Sequence, residues 1–354
     1  VTRLAGVKRW YEKYEGRISV GSLFFGFIVD YLTLQRVDAL RENLWIASNL
    51  FLVGLCIILM SRRPADQHGF WIPSILQFSF GALLGSFFVF YFKSGTLSVA
   101  WPFLLIILFA MMANELYQKK YAKLAFQLSF FYFSLFSFFI FLVPLLVREI
   151  GPAIFILSGG MSLFGLWIYI FILNQFARER FIEARTHIWS LVSVIFLGIN
   201  IFYFTNLIPP IPLSLKDSGI YLSIEKNSVG DYVVTGAKKG LERFYNLRES
   251  VPWREGQALY AYSAIYSPGS INVSILHEWQ RKNEKGEWKT TTVIPLYLSG
   301  GRSGGFRTYS KKFNFDPGEW RVNVETTHGQ VIGRLRFRIE PNLEAVELVE
   351  EIKY

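Results

Sequence analysis

Cysteine, histidine and charge are all scarce in this chain, and each scarcity excludes something. Cys56 is the one cysteine in 354 residues, so neither an intrachain disulfide nor a multi-cysteine metal site can form. The four histidines, His68, His187, His277 and His328, occur in neither His-x-His nor His-Glu-x-x-His spacing, and a zinc signature is missing with them. Gly-x-Ser-x-Gly and Gly-x-x-x-x-Gly-Lys-Ser/Thr are missing too, which removes a hydrolase elbow and a phosphate loop. No metal, cofactor or catalytic residue is therefore expected. Charged residues are 18% of the chain, where about 25% is usual for a soluble domain. Only ten Asp and Glu lie before position 209. That composition excludes a single soluble enzyme, a disordered chain and a small secreted scaffold.

Apolar and aromatic residues fill the space that charge leaves. Of the 34 Phe, 29 precede position 209. Seven stretches approach the roughly 20 helical residues needed to cross a hydrocarbon core. They lie near 17–35, 43–61, 70–92, 96–114, 123–147, 151–173 and 187–208. Of the 17 Lys and Arg in this half, 13 precede or open the first stretch or fall in the alternate connections 62–69, 119–123 and 174–186. The other side holds Arg36, Arg41, Lys93 and Arg148. The positive-inside rule then puts the N-terminus in the cytoplasm and the C-terminal region outside it, in an inner (plasma) membrane. The net charge of +10 is explained by loops facing anionic lipid headgroups, so no nucleic-acid partner is expected.

After residue 208 the chain is polar and nearly balanced, with 20 basic and 17 acidic residues. Pro209, Pro210 and Pro212 stop the last helix, and 209–255 reads as a tether and mixed α/β linker, with a short helix near 238–246 carrying Leu241, Phe244 and Tyr245. Residues 256–340 read as short strands about ten residues apart: Leu259 to Tyr266, Ile271 to Gln280, Trp288 to Leu298, then from Phe306, Trp320 and Val331. The turn Arg281 to Gly286 joins two of them, and a glycine-rich loop runs from Ser299 to Gly305. Residues 341–354 form an acidic tail. The expected fold is a seven-helix transmembrane bundle in 1–208 followed by an all-β, immunoglobulin-like sandwich.

The motifs His277-Glu-Trp279, Phe306-Arg-Thr-x-Ser310, Gly318-Glu-Trp-Arg-Val322, Gly329-x-Val331 and Phe337 carry a resemblance. Together they resemble a bacterial envelope domain family of unknown function over roughly 255–340. The resemblance implies a compact β domain outside the cytoplasm and implies no activity.

Two groups of residues are candidates for function. In the β region, His277 and Trp279 share a strand face, and Arg307, Thr308, Ser310 and Trp320 could join them in binding an anion, a glycan or a peptide. Core packing and hydrogen bonding explain the same residues without a ligand. In the bundle, Asp30 sits within an apolar run, where a carboxylate costs roughly 2.5–3.5 kcal/mol at mid-depth. Gln77, Gln127 and Asn200 could accompany it. The leading functional expectation is an accessory or assembly factor whose β domain binds an envelope protein, glycan or lipid. The alternatives are transport or lipid-substrate enzymology around Asp30, and a receptor signalling to a separate cytoplasmic partner.

Overall fold

The computed structural model describes residues 28–34, 39–62, 71–94, 97–116, 123–208, 210, 212–228, 230–237, 249–267, 273–298, 305–341 and 348–353. The expected helix near 238–246 and most of the glycine-rich loop lie outside the described residues. The chain divides into two compact units. One holds the helices. The other holds Pro209–Tyr354 together with Ser94–Val99 and Val147–Gly151, two connections between helices.

Six helices are described: α1 over 28–33, α2 Leu40–Ser61, α3 Trp71–Ser94, α4 Leu97–Leu116, α5 Leu124–Val147 and α6 Pro152–Phe204. The expectation of seven separate helices is therefore corrected. The sixth and seventh expected segments fall in one element, α6, because 174–186 contains no Gly or Pro and the chain kinks there at a single residue instead of forming a loop. Only Ala177 leaves helical geometry, at φ −149° and ψ 44°. The break is sharp enough for Phe155 to stack on Tyr203, with ring centroids 3.6 Å apart. Among the described residues four helices, α2, α3, α5 and α6, are long and apolar enough to cross a membrane. The chain is thus a multi-pass membrane protein.

The helical unit follows the rules of an apolar solvent. Phe51, Phe78, Phe109, Phe164 and Trp167 are exposed, as lipid-facing side chains must be. Inside, Phe87, Tyr91 and Phe103 are buried, and Tyr91 meets both Phe103 and Phe141 edge-on. Serine hydroxyls close on their own helices, as Ser86 does on the Ala82 carbonyl and Ser158 on that of Ile154. Close approach needs a small residue at Gly54, whose carbonyl accepts the Tyr169 hydroxyl at 2.9 Å.

Among the described residues the β unit has eleven strands: β1 Ser214–Tyr221, β2 Ser223–Lys226, β3 Tyr232–Ala237, β4 Glu249–Trp253, β5 Leu259–Tyr266, β6 Val273–Lys282, β7 Trp288–Leu298, β8 Phe306–Lys312, β9 Gly318–Thr326, β10 Val331–Pro341 and β11 Leu348–Lys353. They form three open sheets, ordered β1-β5-β8, β4-β10-β9-β6-β7 and β11-β3-β2. The expected immunoglobulin-like sandwich is corrected by this topology. Strand β4 joins β10 in parallel, and β2, β3 and β11 make a sheet of their own. Strands β1 to β4 come from the stretch read as tether and linker, and β11 from the acidic tail. Alternation explains the five-stranded sheet: Ile275, His277 and Trp279 on β6, Trp320, Val322 and Val324 on β9, and Leu335, Phe337 and Ile339 on β10 are all buried. With the exception of His277, they share one apolar core with Ile220, Leu259, Ala261 and Ile265 of β1 and β5. The turn from β6 to β7 is set by Asn283, whose side-chain oxygen accepts the Glu287 N–H, and by Gly286 at φ +81°.

Candidate functional site

The structure gathers His277, Trp279 and Ser310 into the interior of the β unit. Trp279 and His277 are fully buried, and Ser310 is 2% exposed. The His277 ring lies 2.9 Å from the Ser263 hydroxyl at Nε2 and 2.9 Å from the Ser310 hydroxyl at Nδ1. The Trp279 indole N–H donates to Ser310 at 3.0 Å. A neutral imidazole offers one donor and one acceptor, and the two hydroxyls serve both. Burial pushes the His277 pKa down to about 3, which keeps the ring neutral. The arrangement is a satisfied polar network inside an apolar core.

The other candidates of the β region serve different places. Thr308 pairs in register with Ser263 and is half-buried. Arg307 donates to the Asp231 carboxylate at 2.9 Å and to the Lys353 carbonyl at 2.6 Å, and so braces β8 to the β11-β3-β2 sheet. Trp320 is 2% exposed and is linked to Trp279 through Phe315, with centroid distances of 5.0 and 5.6 Å.

The intramembrane candidates bond in separate places. The Asn200 side chain donates to the Phe196 carbonyl at 2.7 Å, and Gln127 to the Met60 sulfur at 3.9 Å. The Gln77 carbonyl accepts from Asn114 at 3.2 Å, and Asp30 lies over Gly85, where any side chain would collide with its carboxylate. Among the described residues no group of three or more His, Cys, Asp or Glu is placed to hold a metal ion.

The outer face of the five-stranded sheet has the concentration of charge that these sites lack. The same alternation that buries Trp320, Val322, Leu335 and Phe337 turns Arg321, Asn323 and Glu325 of β9 and Arg334, Arg336 and Arg338 of β10 outward. From β6 come Glu278, Gln280 and Lys282. Register places Arg321 directly opposite Arg336, Asn323 opposite Arg334, and Gln280 opposite Arg321. Glu278 accepts hydrogen bonds from Thr290 at 2.5 Å and Asn323 at 2.9 Å. Burial pushes its pKa up, but these bonds, one from Gln280 and the Arg321 charge outweigh it and hold the carboxyl below its ordinary value. The Arg321 Nε–H donates to Gln280 and the Arg334 Nε–H to Asn323 at 2.7 Å. Arg321 also lies over the Trp288 ring at 4.5 Å. Glu325 differs from Glu278. Burial and the Glu278 charge push its pKa up to about 7, against the opposing pull of Arg334 and Arg321.

Sequence reasoning passed over this face, although the signal was present. The run Arg334-x-Arg336-x-Arg338 beside Arg321-x-Asn323-x-Glu325 is the polar half of the alternation that located the strands. What the sequence does not carry is the β9–β10 and β6–β9 register that brings the two runs together.

No curated protein matches this chain. Solved structures similar to parts of it at low identity include two from Pseudomonas species. One is an immunoglobulin-like protein from Pseudomonas aeruginosa, 12% identical, covering 36% of this chain and 96% of its own, with a TM-score of 0.20. The other is the Pseudomonas fluorescens alkylpurine DNA glycosylase AlkC, solved bound to DNA containing an abasic site analogue. It is 9% identical, covers 87% of this chain and 99% of its own, and has a TM-score of 0.24. Superposition at that level supports neither a shared fold nor a shared activity. Residues 272–339, which run from the start of β6 into β10 and include the whole charged cluster, match the model of a family described as "Protein of unknown function (DUF2914)".

Proposed function

We propose that this chain is a multi-pass envelope protein with a cytoplasmic N-terminus. Its β unit lies on the opposite side of the membrane, where the outer sheet face engages an envelope partner in an accessory or assembly role. One observation carries the sidedness: 13 of the 17 Lys and Arg before residue 209 precede or open the first expected span or fall in the alternate connections 62–69, 119–123 and 174–186. Of these, Arg178, Arg180 and Arg185 follow the break at Ala177. The stacking of Phe155 on Tyr203 supports the same reading, since it returns the end of α6 to the level of its start, away from those arginines. Positive charge retained inside and the β unit outside is the arrangement that translocation favours. The binding role rests on an outer face whose charges are only partly matched to one another.

Single-cysteine labelling tests the proposal. With Cys56 replaced by Ser, a cysteine is placed at exposed Glu284 in the β6–β7 turn or at exposed Glu179 after the break. In intact cells with a permeabilised outer layer, a membrane-impermeant maleimide should label Glu284→Cys and spare Glu179→Cys until the cells are lysed. The reverse pattern would overturn the orientation.

A further inference from the structure

We propose that Arg321, Arg334 and Arg336 form a receptor for the carboxylates of an acidic partner polypeptide. The inference rests on the reading that the β unit presents a binding face, and it names the chemistry of the partner.

Three observations support it. First, the guanidinium groups are held in place with their binding ends unspent. Arg321 and Arg334 are each fixed through Nε by a side-chain amide, from Gln280 and Asn323, and their terminal nitrogens have no hydrogen bond among the described residues. Arg336 is exposed and has neither a hydrogen bond nor an ion pair there. Two parallel N–H groups at a fixed angle are what a carboxylate accepts. Second, register sets Arg321 against Arg336, and like charges directly opposed on neighbouring strands repel one another. A bound anion relieves that repulsion. Third, the charge count selects the ligand. Three guanidinium groups face two carboxylates, Glu278 and Glu325, so one positive charge is unmatched. The flanking pairs Lys282–Glu319, at 3.0 Å, and Arg338–Glu340, at 3.8 Å, cancel within themselves. Above pH 7, where Glu325 is charged, the one excess charge complements a carboxylate monoanion better than a phosphate dianion. A sheet face, unlike a concave pocket, suits the surface of another polypeptide.

The site also carries a pH response. The charged groups acting on Glu325 are Glu278 from β6, Arg321 from its own strand β9 and Arg334 from β10. Protonating Glu325 leaves two positive charges unmatched in place of one, so an acidic ligand binds more tightly as pH falls through about 7.

The test uses the full chain in nanodiscs of neutral phosphatidylcholine, titrated with fluorescein-labelled decaglutamate and read by anisotropy. Wild type should bind, and binding should weaken at least tenfold in Arg336→Gln. It should also weaken in Arg334→Lys, which keeps the charge but loses the fork. Lys289→Gln, which removes an exposed charge on β7 outside the cluster, should bind as wild type does. Binding should be two- to fivefold tighter at pH 6 than at pH 8, and Glu325→Gln should flatten that ratio. Equal losses in Arg336→Gln and Lys289→Gln would mean diffuse attraction and overturn the proposal. So would unchanged binding in Arg336→Gln, or complete displacement of the peptide by millimolar inorganic phosphate. Nanodiscs expose both membrane sides, so these outcomes leave the sidedness reading to the labelling experiment alone.

Discussion

Arg321 and Arg336 stand directly opposite each other on antiparallel strands β9 and β10, with both side chains on the outer face of the sheet. Trp320 and Phe337, their neighbours in sequence, occupy the inner face as a registered pair and are buried in the core. One register therefore builds the core on one side and a repulsive arginine pair on the other. The pairing adds nothing to stability, since like charges directly opposed on neighbouring strands repel.

Removing one member of that pair should stabilise the fold or leave it unchanged. Arg336→Gln is expected to shift unfolding of the β unit by zero to about 0.5 kcal/mol in the stabilising direction. Denaturant unfolding of the full chain, followed by hydrogen exchange in β9 and β10, measures it. Destabilisation by more than 1 kcal/mol would show that Arg336 has a structural partner.

The buried serine of the core network should matter more. Ser310→Ala strips a partner from both the Trp279 indole N–H and the His277 Nδ1 atom, and a buried polar group left unpaired costs about 1–3 kcal/mol. Hydrogen exchange of β6 amides reads the loss directly.

His277 makes the β unit sensitive to acid. Its folded pKa, about 3, lies below the ordinary 6.5, so the unfolded chain takes up a proton that the folded chain refuses. Stability contributed by the neutral ring is complete above about 6.5 and is lost as pH falls toward 3, by several kcal/mol at the low end. Glu325 acts with the opposite sign. Its folded pKa, about 7, lies above the ordinary 4.5, so its burial destabilises the fold at pH 8 and ceases to do so as pH falls through this interval. Unfolding free energies of Glu325→Gln and wild type should therefore converge near pH 4.5, separate between pH 4.5 and 7, and keep a constant gap above it.

In the helical unit, Gly54 should tolerate no large side chain. A Cβ there would already stand 3.1 Å from the Tyr169 ring. Gly54→Leu is expected to cost about 1–3 kcal/mol by forcing α2 from α6 and breaking the bond between the Tyr169 hydroxyl and the Gly54 carbonyl. Thermal unfolding in detergent tests it, with Gly54→Ala as the mild control.

Local pattern made part of this structure legible. Strands β5 and β7 fall at the boundaries expected from alternation, because Leu259 to Tyr266 and Trp288 to Leu298 carry their own turn signals. The break between two apolar segments at 174–186 was expected as a loop, yet helix-forming residues carry the helix up to Ala177 and beyond it. The third sheet was hidden because β3 and β11 pair Tyr232 with Lys353 across 121 positions, and no local signal reports such a partner. The interior site was half visible: spacing put His277 and Trp279 on one face, while Ser263 and Ser310, which satisfy them, come from other strands. The arginine face was half visible too: the alternating run Arg334-x-Arg336-x-Arg338 stands in the sequence, while the register that sets it against Arg321 does not.

The most direct test of the account is a high-resolution structure of the full protein purified gently from its native membrane, with lipids and partners retained. The account predicts a partner polypeptide across the outer face of the five-stranded sheet, with a carboxylate within hydrogen-bonding distance of Arg336 and Arg334. A bare sheet face, with the bound molecule instead among the helices beside Asp30, would contradict it.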